Sequence, residues 1–219
     1  MRPIEQVISL GNDCQVESQL ARRFPPRPKT VFDWIGTPLD AILPILEDAG
    51  ARFGEPWAVF GDSLECVSYG TGHRHEFPET PDHRAMVDAR ASADARDKLV
   101  HKAQKTVALC RSGRPTLFVR RRGASEVPSD RLRKQTMVSD DLNRIADGIA
   151  ALFPSLPFRL LFIGVPDLPR QAYDFSGPLS DRVMVRSMPN APVWNGDDAA
   201  YDAVLDGLGL AYAAPATAA

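Results

Sequence analysis

The chain has 219 residues, a formal net charge of −2, and a composition of 25% charged and 44% hydrophobic residues. This length supports a sizeable core, and the near-neutral charge argues against a general attraction to nucleic acid or to an anionic membrane. No apolar run is long enough to span a bilayer, and the first residues lack the apolar stretch of a secretory signal. Cys14, Cys66 and Cys110 are odd in number and far apart, which argues against a disulfide framework, so we expect a reducing cytoplasm.

Apolar periodicity along the chain predicts six strands and five helices. The strands are predicted at residues 7–10, 57–60, 66–69, 116–120, 159–164 and 182–186. The helices are predicted at residues 14–23, 39–48, 82–111, 139–153 and 198–208.

Two of these elements define the predicted fold. The runs 116–119 and 160–163 are compact and apolar, as in strands that are buried on both faces of a parallel sheet. We therefore predict an α/β fold with a central, mainly parallel sheet, helices on both faces, and a strand–turn–helix unit at the N-terminus. Residues 1–210 are expected to form a single α/β domain and the alanine-rich residues 211–219 a disordered tail.

Two charged stretches are expected at the surface. The predicted helix 82–111 carries one loosely continuous apolar stripe on an otherwise charged surface, so one face of it is expected to dock on the core. The stripe consists of Met86, Ala89, Ala93, Leu99, Ala103, Val107 and Cys110. The stretch 123–135 is polar and basic, which is typical of an exposed loop.

Cys14 follows the first predicted strand and the turn sequence Gly11-Asn12, and it is the first residue of the first predicted helix. The positive end of a helix dipole stabilises a thiolate, which is the nucleophilic form of cysteine. This position favours Cys14 as a nucleophile, although the more common use of a cysteine is to pack in the interior.

Two short patterns offer other reactive or ligand-binding side chains. The sequence Phe-Gly-Asp-Ser-Leu at 60–64 matches the nucleophile block of GDSL-type hydrolases through Ser63, but this composition is more typical of a turn between strands. His73 and His75 on one strand would point in the same direction, which suits a metal ion. Alternatively, one imidazole is the general base for a thiol, or both lie at an exposed strand end. Because no further ligands are suitably placed, we predict no metal and no cofactor.

Charged residues at two places need either a hydrogen-bond partner or exposure to solvent. Asp33 stands between Phe32 and Trp34, so its carboxylate is expected to be partly buried and to need a donor from a histidine, an arginine or backbone N–H groups. A basic run consists of Arg120, Arg121, Arg122, Arg131, Arg133 and Lys134. It is expected to be a solvated strand end and loop, and the alternative is a contact with an anionic ligand.

Four sequence blocks occur in the same order as in a known family. They are Ser9-Leu10-Gly11-Asn12-Asp13-Cys14, Phe32-Asp33-Trp34-Ile35, His75-Glu76-Phe77 and Leu117-Phe118-Val119-Arg120. They resemble the S-L-G-x-x-C, F-D-W-I, H-D-F and L-F-V-R blocks of a domain-of-unknown-function family described as papain-like cysteine peptidases. The resemblance extends over most of the chain, from position 6 to position 205, and is weaker after Arg121. Glu76 stands where the family has aspartate.

The resemblance implies a thiol-dependent acyl-transfer enzyme, either a peptidase, a deamidase or a transglutaminase-like enzyme, with Cys14 as nucleophile and His75 as general base. We assign Asp33 to orient His75, and the backbone N–H of Cys14 with the Asn12 side chain to donate into an oxyanion hole. The expected substrate is a protein, a peptide or a small amide or ester, and no nucleic-acid or membrane partner is expected. The alternative is a non-catalytic binding or accessory module in which Cys14 and His75 are structural or contact a ligand.

Overall fold

The computed structural model describes residues 3–12, 14–60, 63–78, 88–122, 136–167, 172–191 and 193–213. Its helices are α1 (Cys14–Arg23), α2 (Ile42–Glu47, after a 3-10 turn at Leu39–Ala41), α3 (Ala89–Arg111), α4 (Ser139–Leu152) and α5 (Asp198–Asp206). Its strands are β1 (Gln6–Ser9), β2 (Ile35–Gly36), β3 (Trp57–Phe60), β4 (Ser63–Cys66), β5 (Thr71–His73), β6 (Thr116–Arg121), β7 (Thr136–Val138), β8 (Phe158–Gly164), β9 (Ala172–Asp174) and β10 (Val183–Ser187).

A four-stranded sheet with the order β1-β6-β8-β10 forms the centre of the fold, and each strand pairs in parallel with its neighbour. One face of this sheet packs against α2, α3 and α4, and the other packs against α1 and α5. Successive side chains of a strand therefore enter different clusters, with Phe118 on the first face and Leu117 and Val119 on the second. The predicted α/β fold with a parallel sheet and helices on both faces is confirmed.

The long helix α3 docks through a stripe that differs from the prediction in its first half. Its buried side chains are Ala91, Ala95, Leu99, Ala103, Thr106, Val107 and Cys110, whereas Ala89 and Ala93 are exposed. The spacing of four residues from Ala91 to Val107 gives one continuous helical face. Alanine occurs on both faces of this helix, so apolar character alone did not fix the phase. Met86 lies outside the described residues.

A second, antiparallel sheet with the order β2-β5-β4-β3 was not predicted. The strand expected at 66–69 is shifted, because β4 ends at Cys66 and the carbonyl of Cys66 accepts hydrogen bonds from the N–H groups of Tyr69 and Gly70 in a turn. Strands β2 and β5 have only two and three residues, which is too short for a recognisable alternation. Both sheets contribute side chains to the same core cluster, for example Phe118 of β6 and Ile35 of β2.

The two ends of the described chain meet at the edge of the parallel sheet. Ile4 forms an isolated parallel bridge with Tyr212, its N–H donates to the carbonyl of Ala211, and its carbonyl accepts from the N–H of Ala213. The expected disordered tail therefore does not include residues 211–213, and 214–219 lie outside the described residues, as does the predicted loop at 123–135. Within the described part of the chain, no helix combines the length and apolarity needed to cross a membrane.

Candidate active site

The first candidate residue, Cys14, lies at a sharp turn between β1 and α1. Gly11 and Asn12 have φ values of 74° and 91°, in the left-handed region that asparagine adopts more readily than most residues with a side chain. The N–H of Gly11 donates to the Ser9 hydroxyl oxygen at 3.0 Å, which closes the turn. The chain then enters α1 with Cys14 as its first residue, as predicted.

This turn is also where the parallel and antiparallel sheets meet. A Cβ atom on Gly11 would lie 2.6 Å from the Thr37 hydroxyl oxygen, so only glycine permits the close approach to the segment that follows β2. The buried guanidinium of Arg120 spans the same junction, donating to the carbonyl of Leu10 at 2.8 Å and to that of Thr37 at 2.9 Å. The end of β6 thus joins the turn after β1 to the segment after β2.

The second candidate residue, His75, reaches the thiol from the antiparallel sheet. Its Nε2 lies 4.0 Å from the Cys14 Sγ, although 61 positions separate the two residues in the chain. Cys14 is half-buried and His75 is exposed. The predicted approach of these two side chains is confirmed, and the distance is that of a loose thiol–imidazole contact in a site without substrate.

The segment that carries His75 is anchored on both sides. Before it, β5 pairs with β2 through Ile35 and His73. After it, the Glu76 carboxylate pairs with the Lys102 ammonium of α3 at 2.7 Å. Phe77 then packs with Trp57 in a small apolar cluster. Glu76 therefore has a structural contact with α3.

Trp34 is a neighbour of His75 that the sequence analysis did not assign to the site. Its ring meets the His75 ring edge-on, with centroids 6.2 Å apart and an interplanar angle of 86°. Trp34 has a φ of 64°, an unfavourable value for a bulky aromatic residue. Among the described non-glycine residues, a positive φ occurs at Asn12, Trp34 and Ala49. Asn12 precedes Cys14 closely in the chain and Trp34 meets the His75 ring, and such local strain is common at functional sites.

The assignment of Asp33 as the residue that orients His75 is wrong for this structure. Its carboxylate is fully buried and accepts hydrogen bonds from the Arg27 guanidinium at 2.8 Å and from the N–H of Thr30 at 2.6 Å. No hydrogen bond or ion pair joins it to His75, although both residues belong to the described part of the chain. The buried carboxylate instead has an arginine and a backbone N–H group as donors, both of which the sequence analysis gave as alternatives to a histidine.

Arg27 connects this carboxylate to the helix that begins with Cys14. Its guanidinium also pairs with the buried Glu17 of α1 and donates to the carbonyl of Val7 at 3.3 Å. The ammonium group of Lys29 lies 3.5 Å from Glu17. The buried cluster Glu17, Arg27 and Asp33 thus fixes α1, β1 and the segment before Trp34 relative to one another.

Asn12, the predicted oxyanion donor, anchors the turn. Its side-chain amide donates to the carbonyl of Arg121 at 3.0 Å, and the residue is buried. This contact establishes a structural role, and the oxyanion role remains a prediction.

The basic run at the end of β6 is not the solvated patch that we expected. Arg120 and Arg121 are buried, and Arg121 donates to the Asn190 side-chain oxygen at 3.0 Å. Arg122 is half-buried, and desolvation lowers the pKa of its guanidinium. These side chains support the turn and the sheet junction from within, because β6 ends between β1 and β8. Arg131, Arg133 and Lys134 lie outside the described residues.

His73 and His75 do not form a metal-binding pair. His73 is fully buried, with the Thr71 hydroxyl 2.8 Å from its Nε2 and the Trp57 and Phe53 rings meeting it edge-on. Burial, with the nearby positive charge of Lys102, lowers the pKa of His73 to about 3, so this ring is neutral at pH 7. Among the described residues, no group of three or more potential ligands could hold a metal ion.

The other two cysteines are buried. Burial raises the pKa of the Cys66 thiol and raises that of Cys110 to about 12, and no disulfide joins the cysteines. Phe60 pairs with Ser63 across the antiparallel strands β3 and β4. Residues 61–62 and the Ser63 side chain lie outside the described residues.

Comparison of the chain with protein-family models, with curated proteins and with solved structures gave no significant match. The chemistry of this site is therefore argued from its own geometry.

Proposed function

We propose that this chain is a thiol-dependent acyl-transfer enzyme of the cysteine-hydrolase type, with Cys14 as nucleophile and His75 as general base and acid. The observation that carries the proposal is the 4.0 Å contact between Cys14 Sγ and His75 Nε2. The thiol is accessible, lies at a helix N-terminus and contacts an exposed imidazole, which is the combination that activates a cysteine. The family resemblance points to the same pair of residues.

Acylation would begin when the His75 imidazole takes the proton of the thiol. The Cys14 thiolate then attacks the carbonyl carbon of an amide or ester, a C–S bond forms, and the carbonyl electron pair moves to the oxygen. The positive end of the α1 dipole stabilises this oxyanion, as it stabilises the thiolate. When the tetrahedral adduct collapses, the bond to the leaving amine or alcohol breaks and the His75 imidazolium protonates that group.

Deacylation would regenerate the enzyme with water as the second reactant. His75 takes a proton from water, and the resulting hydroxide attacks the carbonyl carbon of the Cys14 thioester. The C–S bond breaks, the carboxylic acid leaves, and the proton returns to the thiolate. If an amine replaces water in this step, the product is an amide, so the same residues serve a hydrolase or a transferase.

The immediate surroundings support a dyad. Asp33 is engaged with Arg27 and Thr30, so orientation of the imidazole falls to the Trp34 ring and to the anchored segment around His75. The three cysteines form no disulfide, which is typical of a reducing compartment. We therefore propose the cytoplasm as the location. A protein, a peptide or a small amide or ester is the proposed substrate.

The test is single-turnover acylation with a p-nitrophenyl ester, followed as a burst of p-nitrophenol and as mass added to the peptide that contains Cys14. We expect a stoichiometric burst from the native chain, no burst from Cys14→Ser, and a burst slowed by about 10²–10⁴-fold in His75→Gln. Cys110→Ser is the matched control for the loss of a thiol. Acylation at the same rate in His75→Gln would contradict the proposal and favour a binding module in which this thiol contacts a ligand.

A further inference from the structure

An exposed apolar surface lies beside the thiol–imidazole pair. Val193 and Trp194, between β10 and α5, are 50% and 67% exposed. A tryptophan exposed to this degree carries a large apolar area in contact with water, and such side chains are enriched where a binding partner later covers them. Among the described residues, the other exposed large apolar side chains are Val59, at 74%, and Val67, at 43%, both in the antiparallel-sheet region.

The loop that carries Trp194 is attached to the helix that begins with Cys14. The Gln15 side-chain amide donates to the carbonyl of Val193 at 2.7 Å, and the Gln19 amide donates to that of Asn195 at 2.7 Å. Gly196 closes the loop with a φ of 82°, and a Cβ there would lie 2.9 Å from the Tyr201 ring. Hydrogen bonds from the first two turns of α1 therefore hold the backbone on both sides of Trp194.

The aromatic rings form a continuous path from Trp194 to the imidazole. The centroids of Trp34 and Trp194 are 6.2 Å apart with an interplanar angle of 43°, and Trp34 in turn meets His75 edge-on. Trp34 is half-buried, and the Lys29 ammonium group lies 5.7 Å from its ring centroid. The aromatic surface that remains open to a ligand thus belongs mainly to Trp194.

We propose that Trp194, with Val193, forms an aromatic subsite of the thiol centre, which binds an aromatic side chain carried close to the scissile carbonyl of a peptide or amide substrate. This inference rests on the proposed acyl-transfer function and specifies its substrate class. A flat, exposed indole beside a second tilted indole favours a planar ring, because aromatic pairs gain from stacked and edge-on contacts beyond the area that they bury.

The experiment compares two alkylating agents that share one reaction and differ by one ring. In iodoacetamide and N-benzyl iodoacetamide, the Cys14 thiolate attacks the methylene carbon, a C–S bond forms and iodide leaves. The rate constants of both reagents at Cys14 are measured by mass spectrometry at subsaturating concentrations. The rate constant of N-benzyl iodoacetamide is divided by that of iodoacetamide, and this ratio is then divided by the same ratio measured for glutathione. This normalised ratio reports the subsite, whereas the rate with iodoacetamide alone reports thiol activation.

We expect a normalised ratio of up to about ten for the native chain, which is the upper end of the effect of an aromatic pair. Trp194→Phe should keep the ratio within about threefold, and Trp194→Leu, which retains apolar bulk without a ring, should reduce it close to one. Val59→Ala, which removes an equally exposed apolar side chain elsewhere, should leave it unchanged.

Two failures are distinguishable. A native ratio near one, or a ratio that survives in Trp194→Leu, overturns the aromatic subsite whatever the reactivity of the thiol. An iodoacetamide rate at Cys14 no faster than that of glutathione instead overturns the activated thiol, and the ratio still reports whether the ring binds.

Discussion

Cysteine and histidine occur together in two regions of this molecule with opposite surroundings. At the junction of the two sheets, a half-buried thiol and an exposed imidazole contact each other at a helix N-terminus. In the interior, His73, Cys66 and Cys110 are enclosed by apolar and aromatic side chains. Burial disfavours the charged form of each group, and it lowers the pKa of this imidazole and raises the pKa of both thiols. The two regions share residue types and differ in solvent exposure, so among these side chains only those of Cys14 and His75 are open to a reactant.

The reactivity of the thiols is the largest expected difference between the regions. At pH 7, a thiol with a pKa of about 12 is roughly 1,000-fold less ionised than an ordinary cysteine, so Cys14 should react with iodoacetamide at least about 1,000-fold faster than Cys110. Timed alkylation of the native chain, followed by peptide mass mapping, measures all three rates. The same reaction in denaturant should bring them together. Equal rates in the native chain would remove the distinction between the two regions.

The junction itself can be broken at Arg120. Arg120→Met removes two charge-assisted hydrogen bonds, to the carbonyls of Leu10 and Thr37, and we expect a loss of about 3 kcal/mol in the free energy of unfolding. Because those bonds hold the sheets together beside Cys14, alkylation of this thiol should slow as well. Urea unfolding and the alkylation rate give the two readouts.

A matched control for this change is Arg90→Met in α3, whose side chain is 91% exposed. It should alter stability by no more than about 0.5 kcal/mol. If Arg120→Met retained both the stability and the Cys14 reactivity of the native chain, Arg120 would not be what joins the two sheets beside Cys14.

Asp33→Asn tests whether the buried cluster of Glu17, Arg27 and Asp33 affects only the stability of the fold and not the reactivity of Cys14. Loss of the carboxylate weakens the contacts with Arg27 and the N–H of Thr30, and we expect a loss of about 1.5–3 kcal/mol in the free energy of unfolding. The pH profile of Cys14 alkylation should keep its midpoint, because Asp33 makes no hydrogen bond to His75. A shifted midpoint with unchanged stability would restore Asp33 to the catalytic group.

The buried histidine should also make the fold sensitive to acid. The unfolded chain binds a proton at His73 near the ordinary value of 6.5, whereas the folded chain binds it only near a pKa of about 3. The stability supplied by the neutral ring is thus complete above pH 6.5 and is lost as the pH falls toward 3, at up to about 1.4 kcal/mol per pH unit.

His73→Gln should remove this part of the slope when urea unfolding is compared at pH 7, 6 and 5. It should leave the reaction of Cys14 with iodoacetamide at pH 7 unchanged, since His73 does not contact the thiol. His101→Gln, at an exposed position of α3, is the matched control and should keep the native slope. An unaltered slope in His73→Gln would mean that the buried ring is not the source of the acid sensitivity.

Much of the architecture was predictable because it depends on local patterns. The apolar runs of β6 and β8 are buried on both faces of a parallel sheet, and the helices begin and end close to their predicted residues, except that α3 begins at Ala89 and not at residue 82. The antiparallel sheet was mostly missed, since β2 and β5 are held by pairing with neighbours rather than by an alternating pattern of their own. The phase of α3 was misjudged in its first half for a related reason, because alanine packs equally well on either face.

The sequence by itself determined that Cys14 begins a helix, because the strand, the turn and the helix around it are continuous in the chain. It also indicated His75 through the family resemblance, and the His75 Nε2 lies 4.0 Å from the Cys14 Sγ. Only the tertiary structure decided the surroundings of this pair. In the folded chain Asp33 pairs with Arg27, Arg120 is buried between the two sheets, and Trp194 lies next to Trp34. These outcomes depend on contacts between segments far apart in the chain, whose distances and burial no local pattern encodes.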